Sequence, residues 1–192
     1  MRSDDRFGQE LRPFIVLLRW SGLRIGDALV VEKNKLDGNR LTAKIQKTGK
    51  TLKLIVPNEV CVLLLGLALK PSVSTRFFFW SGRSLQKSLT SQWQRKLKRL
   101  NRYLSIVDYE GKPMIFHSHQ LRDTFAVEHL LAETSMQDLS LMLGHASIKV
   151  TEKYYAPWVP ERQVALEVKM TDALQAMGAQ VSIGTDTAVG AL

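Results

Sequence analysis

Residues 143–154 read Leu-Gly-His-Ala-Ser-Ile-Lys-Val-Thr-Glu-Lys-Tyr, so that Tyr154 follows His145 by nine positions. Gly144 favours the end of a helix, because glycine readily adopts the left-handed conformation that follows a last helical turn. A second helix is predicted after it, over about 147–155. We therefore expect His145 at the end of one element and Tyr154 two to three turns along the next.

Two segments upstream carry an arginine in a setting that suits phosphate binding. One reads Ser-Gly-Leu-Arg-Ile-Gly-Asp around Arg24, and the other places His119 three residues before Arg122. Side chains at i and i+3 of a helix lie on one face, so both can meet the same phosphate. Arginine donates two parallel hydrogen bonds to phosphate and stays charged. With a histidine and a tyrosine hydroxyl, such a set suits nucleophilic attack on a phosphodiester.

The spacing of apolar residues predicts a chain that is mainly helical. A first helix over 9–20 is expected to break at Gly22, and Arg24 then lies at the start of a short second helix. Further helices are predicted over about 58–69, 90–104, 119–132, 135–143, 147–155 and 161–170, with a loop at Pro71, Ser72 and Ser74.

Between the first helices the pattern changes to that of strands. Strands are predicted over 28–31, 40–46 and 51–56, and Asp37-Gly38 and Thr48-Gly49 supply the turns between them. Lys47 then lies at the tip of the last hairpin. A strand-like patch also occupies 77–80. The expected fold class is α+β and mainly α, with a small antiparallel three-stranded sheet on one side.

Composition favours one domain and a polyanionic partner. The chain has 192 residues, 45% of them hydrophobic, and 27 Lys and Arg against 18 Asp and Glu, a net charge of +9. The only charged residues after Met170 are Asp172 and Asp186, so removing these two negative charges leaves +11 on residues 1–170. We expect a catalytic domain over 1–170 and a flexible tail over 171–192.

The lone cysteine and the charged start of the chain indicate a cytoplasmic location. Cys61 has no partner for a disulfide and lies in an apolar run that ends near Leu69, too short to cross a bilayer. Arg2, Asp4, Asp5 and Arg6 replace the apolar stretch of a signal peptide. We therefore expect a cytoplasmic, nucleoid-associated protein that does not contact a membrane.

Taken together, these motifs resemble those of the tyrosine recombinases, also called phage-type integrases. That family carries an Arg in a T/S-G-L-R-I-x-E/D segment, a Lys on a β-hairpin, H-x-L-R, L-G-H, and a Tyr nine residues past the last His. The matching segments here, within about 10–160, are Ser21–Asp27, Gln46-Lys47-Thr48-Gly49, His119-Gln120-Leu121-Arg122, Leu143-Gly144-His145 and Tyr154.

The resemblance implies a transesterification on DNA that needs neither metal nor ATP nor another cofactor. Tyr154 would attack the scissile phosphate, giving a 3′-phosphotyrosyl bond and a free 5′-hydroxyl. The arginines and His145 would stabilise the transition state, Lys47 would protonate the leaving oxygen, and His119 would assist proton transfer or bind phosphate. The implied catalytic set is Arg24, Lys47, His119, Arg122, His145 and Tyr154.

The resemblance also implies how the protein would meet double-stranded DNA. The basic helix over 90–104 would enter the major groove, with Gln92, Arg95 and Arg99 as contacts to bases or phosphates. The family acts as a tetramer on paired sites, so we expect a monomer without DNA and a homotetramer on it. Most members carry a further N-terminal helical domain that clamps DNA, and this sequence starts almost at the catalytic domain.

Several assignments have an alternative in the sequence. Tyr155 could be mistaken for the nucleophile, although adjacent helical residues point about 100° apart and the spacing favours Tyr154. Asp27 is interpreted as structural, with a bond to Arg122 or to the backbone of Arg24. The role of Lys47 could also be taken by Lys44, Lys50 or Lys53. Two histidines, His117 and His129, match no motif position.

Two other functions compete with a site-specific recombinase or integrase. A type IB topoisomerase would share the arginine, lysine and tyrosine chemistry, but the L-G-H-x8-Y form and the small size argue against it. A DNA-binding regulator that has lost catalysis is the third interpretation. The sequence does not disclose the DNA target.

Overall fold

The computed structural model describes residues 4–68, 76–155 and 159–178 of the chain. Within these ranges the chain forms eight α-helices, one 3-10 turn and a three-stranded antiparallel sheet, which confirms the predicted fold class. The elements are α1 Asp4–Ser21, α2 Ile25–Leu29, the 3-10 turn Lys33–Lys35, β1 Leu36–Asp37, β2 Arg40–Lys44, β3 Thr51–Ile55, α3 Asn58–Ala68, α4 Gln86–Leu104, α5 Ser118–Leu131, α6 Met136–Met142, α7 Ile148–Tyr155 and α8 Val159–Ala176.

The sheet has the order β1-β2-β3 and one buried face. Leu41 pairs with Leu54 and Ala43 with Leu52, and all four side chains are buried, while the alternate residues of β3 are exposed. Period-two alternation of this kind is what a sheet with one solvated face requires. The predicted second and third strands and both predicted turns are confirmed.

The strand predicted over 28–31 is wrong. Ala28 and Leu29 end helix α2, and the first strand begins only at Leu36. Ala28, Leu29 and Val31 are all buried, and a short run that is buried on every side looks the same in sequence whether it is helix or strand.

The strand-like patch over 77–80 is also not a strand. Only Phe77 forms an isolated bridge, with Glu32. Phe78 and Phe79 are buried in the core, where the ring of Phe79 lies 5.0 Å from that of Phe14. The apolar signal was therefore a signal of packing rather than of strand pairing.

The core of the domain consists of two clusters. A larger cluster unites α1, α2, the sheet, α3 and α4, and a smaller cluster unites α5, α6 and α7. Gly22, in the turn between α1 and α2, lies where the two clusters meet. Its φ is +61°, and a Cβ placed there would lie only 2.5 Å from Cδ1 of Phe125 in the smaller cluster. We call this contact zone the seam.

We predict that Gly22→Ala destabilises the domain by about 2–5 kcal/mol. The left-handed backbone costs a residue with a Cβ about 1–2 kcal/mol, and overpacking against Phe125 adds roughly 1–3 kcal/mol. Urea denaturation measures the effect. Gly38→Ala is the matched control, because Gly38 has a similar φ of +53° and nothing within 4 Å of its added Cβ. Equal losses in the two variants would show that the close approach at the seam is unimportant.

Some predicted features lie outside the described residues. These are the loop at Pro71, Ser72 and Ser74 and the part of the expected tail from residue 179 onward. Helix α8 continues to Ala176, six residues into the segment where a flexible tail was expected. In the described ranges, no helix combines the length and the apolar character needed to cross a bilayer.

Candidate active site

Arg24 is the residue just before helix α2, as predicted. Its backbone is extended, with φ −68° and ψ 149°, and its carbonyl accepts the amides of Asp27 and Ala28 at 3.0 Å each. The guanidinium atom Nη1 is buried and has no hydrogen-bond partner among residues 4–68, 76–155 and 159–178. Leaving a buried donor without a partner costs about 1–3 kcal/mol of folding free energy, so this atom is a candidate to bind an acceptor on a ligand.

Arg122 lies in the seam and is 1% exposed. Its Nη1 donates to the carbonyl of Gly22, and its Nη2 donates to the carbonyl of Leu143 at 2.8 Å and contacts Nε2 of His145 at 2.9 Å. Burial lowers the pKa of Arg122 to about 10, and the positive charge of Arg24 acts in the same direction. The side chain therefore stays charged at neutral pH while it joins the α1–α2 turn to the loop after α6.

His145 is 6% exposed and fixed on both ring nitrogens. Arginine only donates, so Nε2 accepts from Arg122 and the proton must lie on Nδ1. Nδ1 then donates to the hydroxyl of Thr151, one and a half turns along the chain, at 2.8 Å. Burial is the largest cause that lowers the pKa of His145, and together with the charges of Arg122 and Arg24 it brings this pKa to about 4. The free protein thus holds a neutral imidazole beside two guanidinium groups.

Lys47 lies in the turn between β2 and β3, as predicted, and its side chain is exposed. Its positive charge is one of those that lower the pKa of His145. The other candidate on this turn, Lys50, donates instead to the carbonyl of His145 at 2.7 Å. Lys47 therefore keeps its ammonium available, whereas that of Lys50 is engaged.

Asp27 has one of its two expected partners and one that was not expected. Its backbone amide donates to the carbonyl of Arg24 at 3.0 Å, whereas its carboxylate accepts the backbone amide of Gln46 at 2.8 Å and makes no hydrogen bond to Arg122. Burial raises the pKa of Asp27 above its ordinary value. The hydrogen bond from the Gln46 amide and the charges of Arg24 and Arg122 act in the opposite direction but are outweighed. The interpretation of Asp27 as structural is retained, and what it holds in place is the residue before Lys47.

His119 lies at the edge of an open cleft of about 670 Å³ between α4 and the start of α5. Its side chain is 62% exposed, and Nε2 lies 3.9 Å from Oδ1 of Asp123. It lies three residues before Arg122 on helix α5. The residues of α4 that line this cleft are Ser91, Gln94, Arg95, Leu97 and Lys98.

The three predicted DNA contacts on α4 therefore differ in placement. Arg95 lines the cleft with His119, whereas Gln92 lines a smaller cavity of about 230 Å³ that also contacts Glu10 of α1. Arg99 donates to the hydroxyl of Tyr103 at 3.2 Å on the exposed side. The structure brings only Arg95 to the side of His119, and all three assignments stay predictions.

The two adjacent tyrosines of α7 face different environments. Tyr154 is 62% exposed, and its hydroxyl makes no hydrogen bond within the described part of the chain. Tyr155 is 3% exposed and donates to Oδ1 of Asp123 at 3.0 Å. Burial, together with the negative charge of Asp123, raises the pKa of Tyr155 far above its ordinary value. The two side chains point different ways, as expected for adjacent helical residues, and no hydrogen bond joins Tyr154 to the arginines in the described residues.

The comparison with protein families agrees with this geometry. The family described as "Phage integrase family" matches residues 3–159 of the chain. This chain belongs to the phage integrase family. The match includes every catalytic residue assigned from the sequence, from Arg24 to Tyr154. No curated protein is similar enough in sequence to count as a match.

Solved integrase and recombinase structures share the fold. XerA recombinase is 23% identical, with a TM-score of 0.62, over 76% of this chain and 53% of that one. XerH recombinase bound to palindromic difH substrate is 18% identical, with a TM-score of 0.59, over 89% of this chain and 47% of that one. The catalytic domain of bacteriophage HP1 integrase is 18% identical, with a TM-score of 0.52, over 89% and 86%. The chain thus spans about half the length of the first two structures.

The sequence motifs missed residues that hold this integrase site in place. Thr151 fixes the tautomer of His145, and Lys50 binds the carbonyl of the same residue. Thr48 also approaches the carbonyl of Gly144, at 3.5 Å. The position of Thr151, six residues after His145 and so on the near face of the next helix, is a signal that could have predicted the first contact. The other two contacts join residues about 95 apart in the chain and left no local signal.

We predict that His145 makes the domain less stable in acid. Its pKa is about 4 in the folded chain and about 6.5 when unfolded, so the unfolded chain binds more protons between these values. Stability is therefore lost as pH falls from 6.5 towards 4, by up to about 1.4 kcal/mol per pH unit. Urea denaturation across this range measures the slope.

The matched variants for this test are His145→Gln and His117→Gln. The slope should flatten in the first and stay unchanged in the second, because His117 is exposed. Other titrating groups, such as the buried Asp27, are common to all three proteins and cancel in the comparison. A slope that persists in His145→Gln would assign the acid sensitivity to another group.

Proposed function

We propose that the chain cleaves and rejoins DNA strands through a 3′-phosphotyrosyl intermediate, as a site-specific recombinase or integrase. The observation that carries this proposal is the unpaired, buried Nη1 of Arg24 beside the charged Arg122 and the imidazole of His145. A phosphate oxygen is the acceptor that best fits such a donor. Lys47 adds the positively charged proton donor that a leaving alkoxide needs. The net charge of +9 favours a DNA strand as the source of the phosphate.

The proposed step exchanges one phosphodiester for another. The hydroxyl oxygen of Tyr154 forms a bond to phosphorus, and the bond from phosphorus to the 5′-oxygen breaks. The phenol proton passes to His119 or through it to solvent, and the ammonium of Lys47 gives a proton to the leaving 5′-oxygen. Arg24 and Arg122 stabilise the charge on the nonbridging oxygens. Attack by a 5′-hydroxyl reverses the step, so no cofactor is consumed.

The assignment of Tyr154 as nucleophile rests on its spacing and on the engagement of its neighbour. Tyr155 is buried, donates to Asp123 and has a raised pKa, which keeps its hydroxyl neutral and occupied. Tyr154 lies on the exposed side of the same short helix, with its hydroxyl unbonded in the described residues. A small rotation or shift of α7 on DNA binding would bring this hydroxyl towards the arginines.

Double-stranded DNA is the proposed partner. The XerH structure contains its difH substrate, and a lambda integrase structure, 20% identical with a TM-score of 0.53, is bound to a core site. We extend this to the present chain, with the cleft between α4 and His119 as the groove-facing surface and Arg95 within it. A tetramer on paired sites, a monomer without DNA and association with the nucleoid complete the proposal.

The test is capture of a covalent protein–DNA adduct. The chain is incubated in EDTA with a pool of nicked duplexes of randomised sequence, in which cleavage releases a short fragment and traps the intermediate. Adducts are recovered on a denaturing gel and sequenced, which also yields the preferred site. Tyr154→Phe and Tyr155→Phe are tested beside the unmodified chain.

Each outcome selects one interpretation. An adduct that is lost in Tyr154→Phe and kept in Tyr155→Phe supports the proposal. Loss only in Tyr155→Phe would move the nucleophile by one residue and leave the reaction in place. DNA binding without any adduct would favour a silent regulator. Relaxation of supercoiled plasmid without pairing of two sites would favour a topoisomerase.

A further inference from the structure

The turn that carries Lys47 is fastened on both sides of that residue. On one side the amide of Gln46 donates to Asp27 at 2.8 Å, and Asp27 belongs to the helix that Arg24 begins. On the other side the ammonium of Lys50 donates to the carbonyl of His145 at 2.7 Å. The turn thus connects the segment of Arg24 to the segment of His145.

The turn is also closed upon itself. The amide of Ile45 donates to the carbonyl of Lys50, and the amide of Gly49 donates to the carbonyl of Ile45, each at 2.8 Å. Lys47 therefore lies in a tight turn, residues 45–50, whose backbone hydrogen bonds leave it few conformations. Only Thr48 and Gly49 separate Lys47 from Lys50, so a change at Lys50 is expected to alter the position of Lys47.

The loop around His145 meets the hairpin by direct packing. Gly144 has a φ of +63°, and a Cβ placed there would lie 2.8 Å from Cγ1 of Ile45 and 3.2 Å from Cδ1 of Leu52. The hydrogen bond from Lys50 therefore spans an interface that is already close. A lysine at the tip of a hairpin usually remains in water, because fixing its side chain costs about 1.5–2 kcal/mol of conformational entropy. A charged donor on a carbonyl offsets part of this cost.

We propose that Lys50 is a positioning residue that sets the place of the Lys47 ammonium in the cleavage reaction. This inference rests on the proposed function, in which Lys47 protonates the leaving 5′-oxygen. A general acid must come within about 3 Å of the oxygen that it protonates, and an error of 1 Å can cost about a hundredfold in rate. The bond from Lys50 to His145 fixes the turn to the loop that borders the phosphate site, and so fixes this distance.

In this inference Lys50 holds the turn through its bond to the His145 carbonyl, and Lys47 supplies the proton. Lys47 is the lysine whose charge acts on the imidazole of His145. The two lysines therefore have separate tasks, one chemical and one geometric. Replacing Lys50 should then slow cleavage in the same way as replacing Lys47, but by a smaller factor.

A substrate with sulfur in place of the leaving 5′-oxygen separates this role from a general structural one. A thiolate leaves without protonation, since its pKa is near 8.5 rather than that of an alcohol. Single-turnover cleavage is measured on matched oxygen and sulfur substrates of the captured site sequence. The proteins are the unmodified chain, Lys47→Met, Lys50→Met, Lys50→Arg, Arg24→Ala and the exposed β3 control Lys53→Met. Amide hydrogen exchange of residues 45–50 in the DNA-free proteins provides a readout that needs no activity.

We expect Lys47→Met to slow cleavage of the oxygen substrate by about 10²–10⁴ and Lys50→Met to slow it by roughly 10–100, with both defects largely removed by sulfur. Lys50→Arg should retain most of the rate, Lys53→Met all of it, and the defect of Arg24→Ala should persist with sulfur. Lys50→Met should also speed amide exchange in the turn.

Other results would overturn the inference. A Lys50→Met defect of equal size on both substrates would place Lys50 in phosphate binding, and no defect would remove it from the reaction. Unchanged amide exchange in Lys50→Met would show that the bond to His145 does not hold the turn. If the unmodified chain cleaves neither substrate, the proposed function fails, and the role of Lys50 in it fails too, whatever the exchange shows.

Discussion

Replacing Arg122 with alanine is expected to abolish adduct formation and to destabilise the domain by about 3–5 kcal/mol. The side chain is 1% exposed and binds the carbonyls of Gly22 and Leu143, so its removal leaves two buried acceptors without a donor. It also frees Nε2 of His145. Loss of its proposed contact with the phosphate should lower the cleavage rate by about 10³ even where the protein is folded.

Urea denaturation measures the stability loss, and adduct capture at low temperature measures the rate in the folded fraction. Arg12→Ala is the matched control, because its side chain is 71% exposed and meets Glu59 only at 3.4 Å; it should change stability by less than about 0.5 kcal/mol. Arg122→Lys keeps a charge but cannot bind both carbonyls and the imidazole together, so it should recover little of either loss. A stable Arg122→Ala protein would refute the structural half of this prediction.

Replacing Arg24 with alanine is expected to separate catalysis from stability. Its buried Nη1 has no partner in the described residues, and its backbone bonds to α2 do not involve the side chain. Stability should therefore change by no more than about 1 kcal/mol in either direction. The cleavage rate should fall by about 10²–10³, since a donor aimed at the phosphate is lost.

The pKa of His145 provides a second measurement on Arg24→Ala. Arg24 is one of the charges that lower this pKa, so the variant should titrate His145 at a higher pH, as followed by NMR of the imidazole protons. A large fall in stability, or a His145 pKa that does not move, would show that Arg24 is part of the scaffold rather than a free donor at the site.

The sequence predicted where the candidate site residues lie relative to the helices and turns, because the motifs lie at element ends. The glycines at 22 and 144 both have positive φ, as the predicted helix breaks require, and they place Arg24 and His145 directly after a turn. The His119-x-x-Arg122 pair needed only the geometry of one helix. Local backbone rules were sufficient for all of these.

What the sequence missed depends on contacts between distant segments. Asp27 was expected to bond Arg122 or the backbone of Arg24; its amide does bond the Arg24 carbonyl, but its carboxylate accepts from Gln46, nineteen residues along the chain. The wrong strand over 28–31 had the same cause, because burial on every side removes the alternation that distinguishes strand from helix. The opposite environments of Tyr154 and Tyr155 follow from Asp123, which only the folded chain brings beneath α7.

The position of Arg122 in the seam has a consequence for descent. A copy of this gene released from selection for the proposed DNA cleavage would still be selected to fold. Arg122 contributes to both folding and the proposed cleavage, whereas Arg24 contributes only to the cleavage. We therefore expect relatives that have lost activity to lose Arg24 or the nucleophilic tyrosine early and to keep Arg122, so that an intact Arg122 in a divergent sequence is a record of shared ancestry but no guide to whether the enzyme still works.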